Sequence, residues 1–220
     1  MNWFQKYWSY FSRITVEKTS SPYNSKLIVA IQDGKYVLNT SNANYSFGSL
    51  HRVFQQTFKK IKLKEQAIES ILVLGGGVGS IPSIIYNELT MNPTIDAVEI
   101  DEKVVTLGNK YFQLSQYNKL SIHIEDAMHY IENTTSMYDL IVVDLFEGID
   151  VPKAFYQGDF FKAVKKRLNE KGMLIFNFVT YNYDTKELAK TIEKSLEKTF
   201  NTKTERFNLE KVNVVYVLKS

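Results

Sequence analysis

From Ile71 onward, short apolar runs alternate with amphipathic stretches along the chain. The runs ILVL (71–74), IDAVEI (95–100), LSIHI (120–124), YDLIVVD (138–144) and GMLIFNFV (172–179) predict buried strands. Segments near 80–90, 102–112, 127–132, 152–168 and 185–199 predict helices between and after them. In the last of these, Leu188, Ile192, Leu196 and Phe200 recur at every fourth position, as a helix with one buried face requires. Strands alternating with helices build βαβ units and a mostly parallel sheet covered on both faces. The end breaks this rhythm. KTERFNLE and KVNVVYVLK follow each other without a helix, so they must pair antiparallel. The pattern therefore predicts a seven-stranded α/β sheet closed by a hairpin.

The first part of the chain reads differently. RITVEK (13–18), KLIVAIQ (26–32) and KYVLNT (35–40) predict short strands, and Asp33-Gly34 supplies a hairpin turn. Residues 46–66 predict a helix burying Leu50, Val53, Phe54, Phe58 and Ile61. The expected division is a small β appendage over 1–45 and the main domain over 46–220. Ahead of the first strand, Trp3, Phe4, Tyr7, Trp8 and Phe11 share one helical face. That face is expected to dock on its own domain or on a twin subunit, which suggests a homodimer.

Composition narrows the function. With 27 Lys and Arg against 24 Asp and Glu the net charge is only +3, without a basic run, so no nucleic-acid partner is expected. No stretch approaches the length of a membrane span, and no membrane partner is expected. Cysteine is absent, which excludes disulfides, thiolate metal sites and a Cys nucleophile. A reducing cytoplasm is the compartment this implies, in the absence of a secretory signal. His51, His123 and His129 lack metal-ligand spacing, and no metal site is expected.

Candidate chemistry gathers at the strand ends. The first strand of the main domain runs into LVLGGGVGS (72–80), where Gly75, Gly76, Gly77 and Gly79 let the backbone turn sharply and approach a ligand closely. Glu99 ends the next strand, 20 residues after Gly79, where a carboxylate accepts from ribose hydroxyls. Helix capping competes for that acid and is assigned mainly to Asp101. Asp126 and Ala127 close the third strand; the carboxylate suits an adenine amino group, with N-capping as its other role. Asp144 ends the fourth strand and faces the crevice in which open α/β sheets bind ligands.

These residues resemble the spermidine synthase family, the polyamine aminopropyltransferases, within the class I methyltransferase superfamily with its Rossmann-like fold. Ser21-Pro22-Tyr23 before KLIVAI resembles the family's N-terminal motif. Residues 75–80 are similar to its Gly-Gly-Gly-Asp-Gly-Gly turn, VEID to its second motif, and YDLIVVDLFEG to the tract bracketing the catalytic centre. The resemblance implies S-adenosylmethionine or decarboxylated S-adenosylmethionine as cofactor. Gly75, Gly77 and Gly79 would line its tail, Glu99 would bind ribose, Asp126 and Ala127 would hold adenine, and Asp144 would lie beside the sulfonium.

The chain also departs from the family. Val78 stands where the family has an Asp that holds an amine, and this change is expected to ease acceptance of the carboxylate of S-adenosylmethionine. The family's Asp-Ser-Ser-Asp becomes Asp144-Leu145-Phe146-Glu147, making Asp144 and Glu147 the candidate catalytic acids. Glu147 has a competing role: with Asp150 it is placed to cap a helix starting near Pro152. NTSNANYSFGSLHR lacks the family's acids, although Tyr45 and His51 lie in it. The first expectation is thus methyl transfer to a small-molecule acceptor. Aminopropyl transfer to a polyamine and a non-catalytic nucleoside-binding domain are the alternatives.

Overall fold

The computed structural model describes residues 3–40 and 44–220, with 44–46 described by backbone alone. In chain order it contains α1 (Trp3–Trp8), β1 (Ile14–Thr19), β2 (Leu27–Gln32), β3 (Lys35–Asn39), β4 (Asn44–Ser46), α2 (Ser49–Lys60), β5 (Ser70–Leu74), α3 (Ser80–Ser83) and β6 (Thr94–Glu99). There follow α4 (Glu102–Tyr111), β7 (Leu120–Ile124), α5 (Ala127–Asn133), β8 (Tyr138–Val143), α6 (Gly158–Lys165), β9 (Leu168–Val179), α7 (Tyr183–Phe200), β10 (Glu205–Leu209) and β11 (Asn213–Lys219).

The main sheet has the order β10-β11-β9-β8-β5-β6-β7. The five expected parallel strands pair in parallel, and β11 lies antiparallel to both β9 and β10. The chain leaves β5 toward β6 and β7, then returns to β8 on the other side. The crevice between β5 and β8 is therefore the point where ligands enter open α/β sheets.

Two buried clusters cover the sheet's faces. Phe160, Phe161, Phe176, Leu196 and Tyr216 belong to one, and Phe54, Phe58, Ile71, Ile85 and Val215 to the other. Fully burying such a side chain contributes about 1.5–3 kcal/mol, so the apolar runs that predicted the strands also hold them in place.

Three expectations change. The N-terminal sheet has four strands, β1-β2-β3-β4, because the backbone of 44–46 pairs with β3. The helix expected over 46–66 shrinks to α2, since Gly48 is non-helical and Lys62 adopts a left-handed conformation (φ 51°). The helix expected over 152–168 splits at the extended Gln157 into a 3-10 turn (Lys153–Tyr156) and α6.

The small sheet packs across the end of the large one. Leu27, Val29 and Leu38 meet Val104, Leu107 and Phe112 of the α4 region. At the N-terminus, Ser9 is buried and binds the β2–β3 turn: its hydroxyl oxygen accepts from Gly34 (2.9 Å) and its carbonyl from Asp33 (3.1 Å). The aromatic face of α1 does not dock on its own domain as one expectation had it. Trp3 is 79% and Phe11 70% exposed, and the rings pack on one another, Tyr7 on Phe11 at 5.5 Å. Among the described residues, no helix is long and apolar enough to cross a membrane.

Candidate functional site

Strand register places the site. Leu74 pairs with Val98 on one side and Val143 on the other, so Gly75, Glu99 and Asp144 emerge level from three adjacent strands. They line a cavity of about 530 Å³, together with Gly76, Gly77, Asp126, Ala127 and Glu147.

The glycine turn is shaped by its neighbours. Gly75 has φ 92°, and a Cβ there would lie 2.1 Å from the Asp144 carbonyl oxygen, so only glycine lets the turn cross the end of β8. Gly79 also has φ 92°, but it stands apart from the cavity, and its missing side chain makes room for Leu114. Gly77 donates its amide hydrogen to Glu99 at 2.8 Å.

Glu99 is 4% exposed. Its other oxygen accepts from the Asp101 amide at 3.0 Å. Burial pushes its carboxyl up to about 7, with the charge of Asp101 adding to the effect, although backbone amides including those of Asp101 and Gly77 oppose it. Asp144 is likewise raised to about 7 by burial and by Glu99, against a 2.9 Å hydrogen bond from Asn177. Asn177 in turn accepts from Asn213 at 3.0 Å. This pair of buried amides fixes one Asp144 oxygen; sequence reasoning missed it, because a polar residue inside a central strand gives no periodic signal.

The capping roles divide as follows. Asp101 caps α4 by accepting from Lys103 at 3.0 Å. It also accepts from the Ser21 hydroxyl and, at 2.8 Å, from Asn24, which ties the Ser-Pro-Tyr segment to the cavity rim. Asp126 caps α5 through Oδ1, which accepts from Met128 (2.8 Å) and His129 (2.9 Å). Among the described residues Oδ2 makes no hydrogen bond, so one residue can cap and still meet an amino group. Neither Glu147 nor Asp150 caps the 3-10 turn after Pro152. Their backbones pair with each other, and Asp150 accepts from the Tyr181 hydroxyl at 2.6 Å. Glu147 is left as an exposed acid at the cavity rim.

Val78 is fully buried against the small sheet and α4, outside the cavity lining. The glycine turn thus sends no acid into the cavity. Tyr45 lies outside the residues whose side chains are described. His123 bonds to Asp96, away from the cavity lining, and His129 bonds to Glu125, which lines the cavity, although His129 itself does not. His51 instead contacts Ser80, which does line the cavity.

A Rossmann-like methyltransferase fold with a nucleoside-sized crevice is the class these features define. Residues 57–209 match the spermine/spermidine synthase domain model, and the chain belongs to that family. A polyamine aminopropyltransferase of Methanocaldococcus jannaschii is 33% identical over 110 residues, 48% of this chain and 37% of the relative. The human eEF1A lysine and N-terminal methyltransferase is 30% identical over 130 residues, 54% of this chain and 18% of the relative. The chain thus spans well under two thirds of either relative. A spermidine synthase in complex with the transition-state analogue AdoDATO shares the fold, with TM-score 0.68 and 15% identity over 94% of this chain and 73% of that one.

Proposed function

We propose that the chain transfers an alkyl group from an adenosyl sulfonium donor to an amine. The names of the polyamine aminopropyltransferase relatives favour aminopropyl transfer from decarboxylated S-adenosylmethionine. This displaces methyl transfer, the first expectation from sequence, to second place. The observation that carries the reading is Asp144: a carboxyl poised near neutrality on the cavity floor, with one oxygen fixed by Asn177.

The donor set fits an adenosine moiety. Glu99 would take the ribose hydroxyls, Asp126 and Ala127 the adenine edge, and the bare backbone of Gly75 to Gly77 the tail. The bound sulfonium supplies an activated alkyl carbon. The chain's own residues hold the acceptor behind that carbon and take its proton. As the nitrogen–carbon bond forms, the carbon–sulfur pair stays on sulfur, and the amine proton passes to Asp144, with Glu147 at the rim as the other available acid.

Methyl transfer from S-adenosylmethionine stays as the second reading on one specific observation. Val78 is buried away from the cavity, so the turn offers no acid to repel a donor carboxylate. Incubation with decarboxylated S-adenosylmethionine plus putrescine, and separately with S-adenosylmethionine plus an amine panel, tests both. Methylthioadenosine as product supports aminopropyl transfer, and S-adenosylhomocysteine supports methyl transfer. Formation of neither, with ligand binding retained, leaves the non-catalytic nucleoside-binding reading.

A further inference from the structure

One cluster at the cavity wall has no part in the chemistry above. Ser80, the first residue of α3, lines the cavity and is 6% exposed. Its Oγ lies 2.8 Å from His51 Nδ1, and His51 Nε2 lies 2.8 Å from Glu88. Gln55 donates to the other Glu88 oxygen at 2.7 Å. The Phe47 ring stacks on His51 at 5.0 Å, and the Phe47 amide donates to Ser80 Oγ at 3.3 Å. Phe47 does this from a left-handed conformation (φ 62°), which a bulky residue rarely adopts.

The hydrogen-bond inventory fixes the direction of this chain of contacts. Burial pushes the His51 imidazole below its usual range, partly offset by Glu88, so the ring is neutral at pH 7. Burial opposes ionisation of Glu88, but the bonds from Gln55 and His51 outweigh it and hold the carboxyl below its usual range. An ionised carboxylate only accepts, so Nε2 carries the ring proton and Nδ1 is bare. The Ser80 hydroxyl therefore donates to Nδ1. With its proton committed there and one lone pair on the Phe47 amide, Ser80 Oγ has an acceptor position left. Lys35 and Arg52, the other charges felt by His51, both favour the neutral ring.

We propose that Ser80 Oγ is the acceptor for the ammonium group on the tail of the bound adenosyl ligand, with His51 and Glu88 as positioning residues that direct its lone pair into the cavity. This rests on the nucleoside reading of the pocket. Ser80 is three residues beyond Gly77, whose amide holds Glu99, so its Cα lies within about 11 Å of the Gly77 Cα, and both residues line the same cavity. A tail leaving the ribose along the glycine turn runs toward it. The Glu88 charge, relayed through His51, strengthens Ser80 as an acceptor. It takes the place of an acid at this turn, where Val78 is buried in the core.

The test is calorimetric binding of three ligands to the wild type, Ser80→Ala and Glu88→Gln. S-Adenosylhomocysteine carries ammonium and carboxylate, S-adenosyl-3-thiopropylamine carries ammonium alone, and methylthioadenosine carries neither. Ser80→Ala is expected to weaken the first two by about tenfold or more, since one partner of the bond is charged, and to leave the third unchanged. Glu88→Gln keeps a hydrogen bond to His51 but loses the charge, so a smaller loss with the same ligand dependence is expected. Equal loss for all three ligands, no loss for any, or loss confined to S-adenosylhomocysteine each overturns the assignment. Wild-type protein that fails to bind methylthioadenosine overturns the nucleoside reading itself, and this inference with it.

Discussion

The Gly77 amide donates to the Glu99 carboxylate at 2.8 Å, joining the glycine turn after β5 to the acid that ends β6. A ligand that places its sugar on Glu99 must therefore lay its tail over the turn. On the proposed reading, loss of this acid would remove the sugar's grip and loosen the turn together.

Glu99→Ala should accordingly abolish ligand-induced stabilisation. In the wild type, S-adenosylhomocysteine at a hundred times its dissociation constant is expected to stabilise by about 2.7 kcal/mol. A thermal shift retained by the variant would remove Glu99 from the ribose site.

Asp144→Asn should lower turnover by about 10²–10⁴-fold, the range for losing a positioned acid–base group. Binding of neutral S-adenosylhomocysteine should survive, because the change spares Glu99 and the glycine turn. Single-turnover kinetics beside calorimetry separate the two effects.

The raised carboxyl of Asp144 makes stability depend on pH. Its folded value of about 7 lies above the unfolded value near 4, so between them the folded state binds more protons. The contribution is favourable at low pH and is lost as pH rises through about 7. His51, lowered by burial, acts in the opposite sense. The effect is therefore read as a difference. Unfolding midpoints of the wild type should fall relative to Asp144→Asn between pH 5.5 and 8, and parallel curves would refute the shift.

Asn177→Ala should raise the Asp144 carboxyl further, because it deletes the hydrogen bond that opposes burial. It also strands the Asn213 amide, at a cost of about 1–3 kcal/mol for the unsatisfied group. An acidic limb of the pH–rate profile displaced toward higher pH is the signature; an unmoved limb would make Asn177 structural only.

Gly75→Ala places a Cβ 2.1 Å from the Asp144 carbonyl oxygen at a positive φ. Destabilisation by more than about 2 kcal/mol is expected in urea unfolding, because both clash and backbone strain apply.

Much of this was legible in advance because buried strands announce themselves as apolar runs. The five parallel strands of the main sheet and the acids at their tips follow from that signal, and the terminal hairpin follows from the missing helix between its two arms. β4 was missed because a strand of three residues is too short to show an alternating pattern in sequence. The Ser21 and Asn24 bonds to Asp101 join residues about eighty apart in sequence, and no local spacing reports such a contact. Val78 was legible as a departure but not as a core residue, since the direction of a turn side chain is set by what packs on it. His51 shows the same limit: the histidine was visible, while its alignment with Ser80 and Glu88 depends on how α2 docks.

The attachment of Ser21 and Asn24 to Asp101 bears on how this protein can be dissected. Deleting the first two strands would uncap a rim of the crevice and leave Asp101 with only its helix to serve. An isolated seven-stranded half would expose Val78, Val104, Leu107 and Phe112, which the small sheet covers, and would present a gaping mouth. Anyone grafting the seven-stranded half onto another scaffold must carry the small sheet with it.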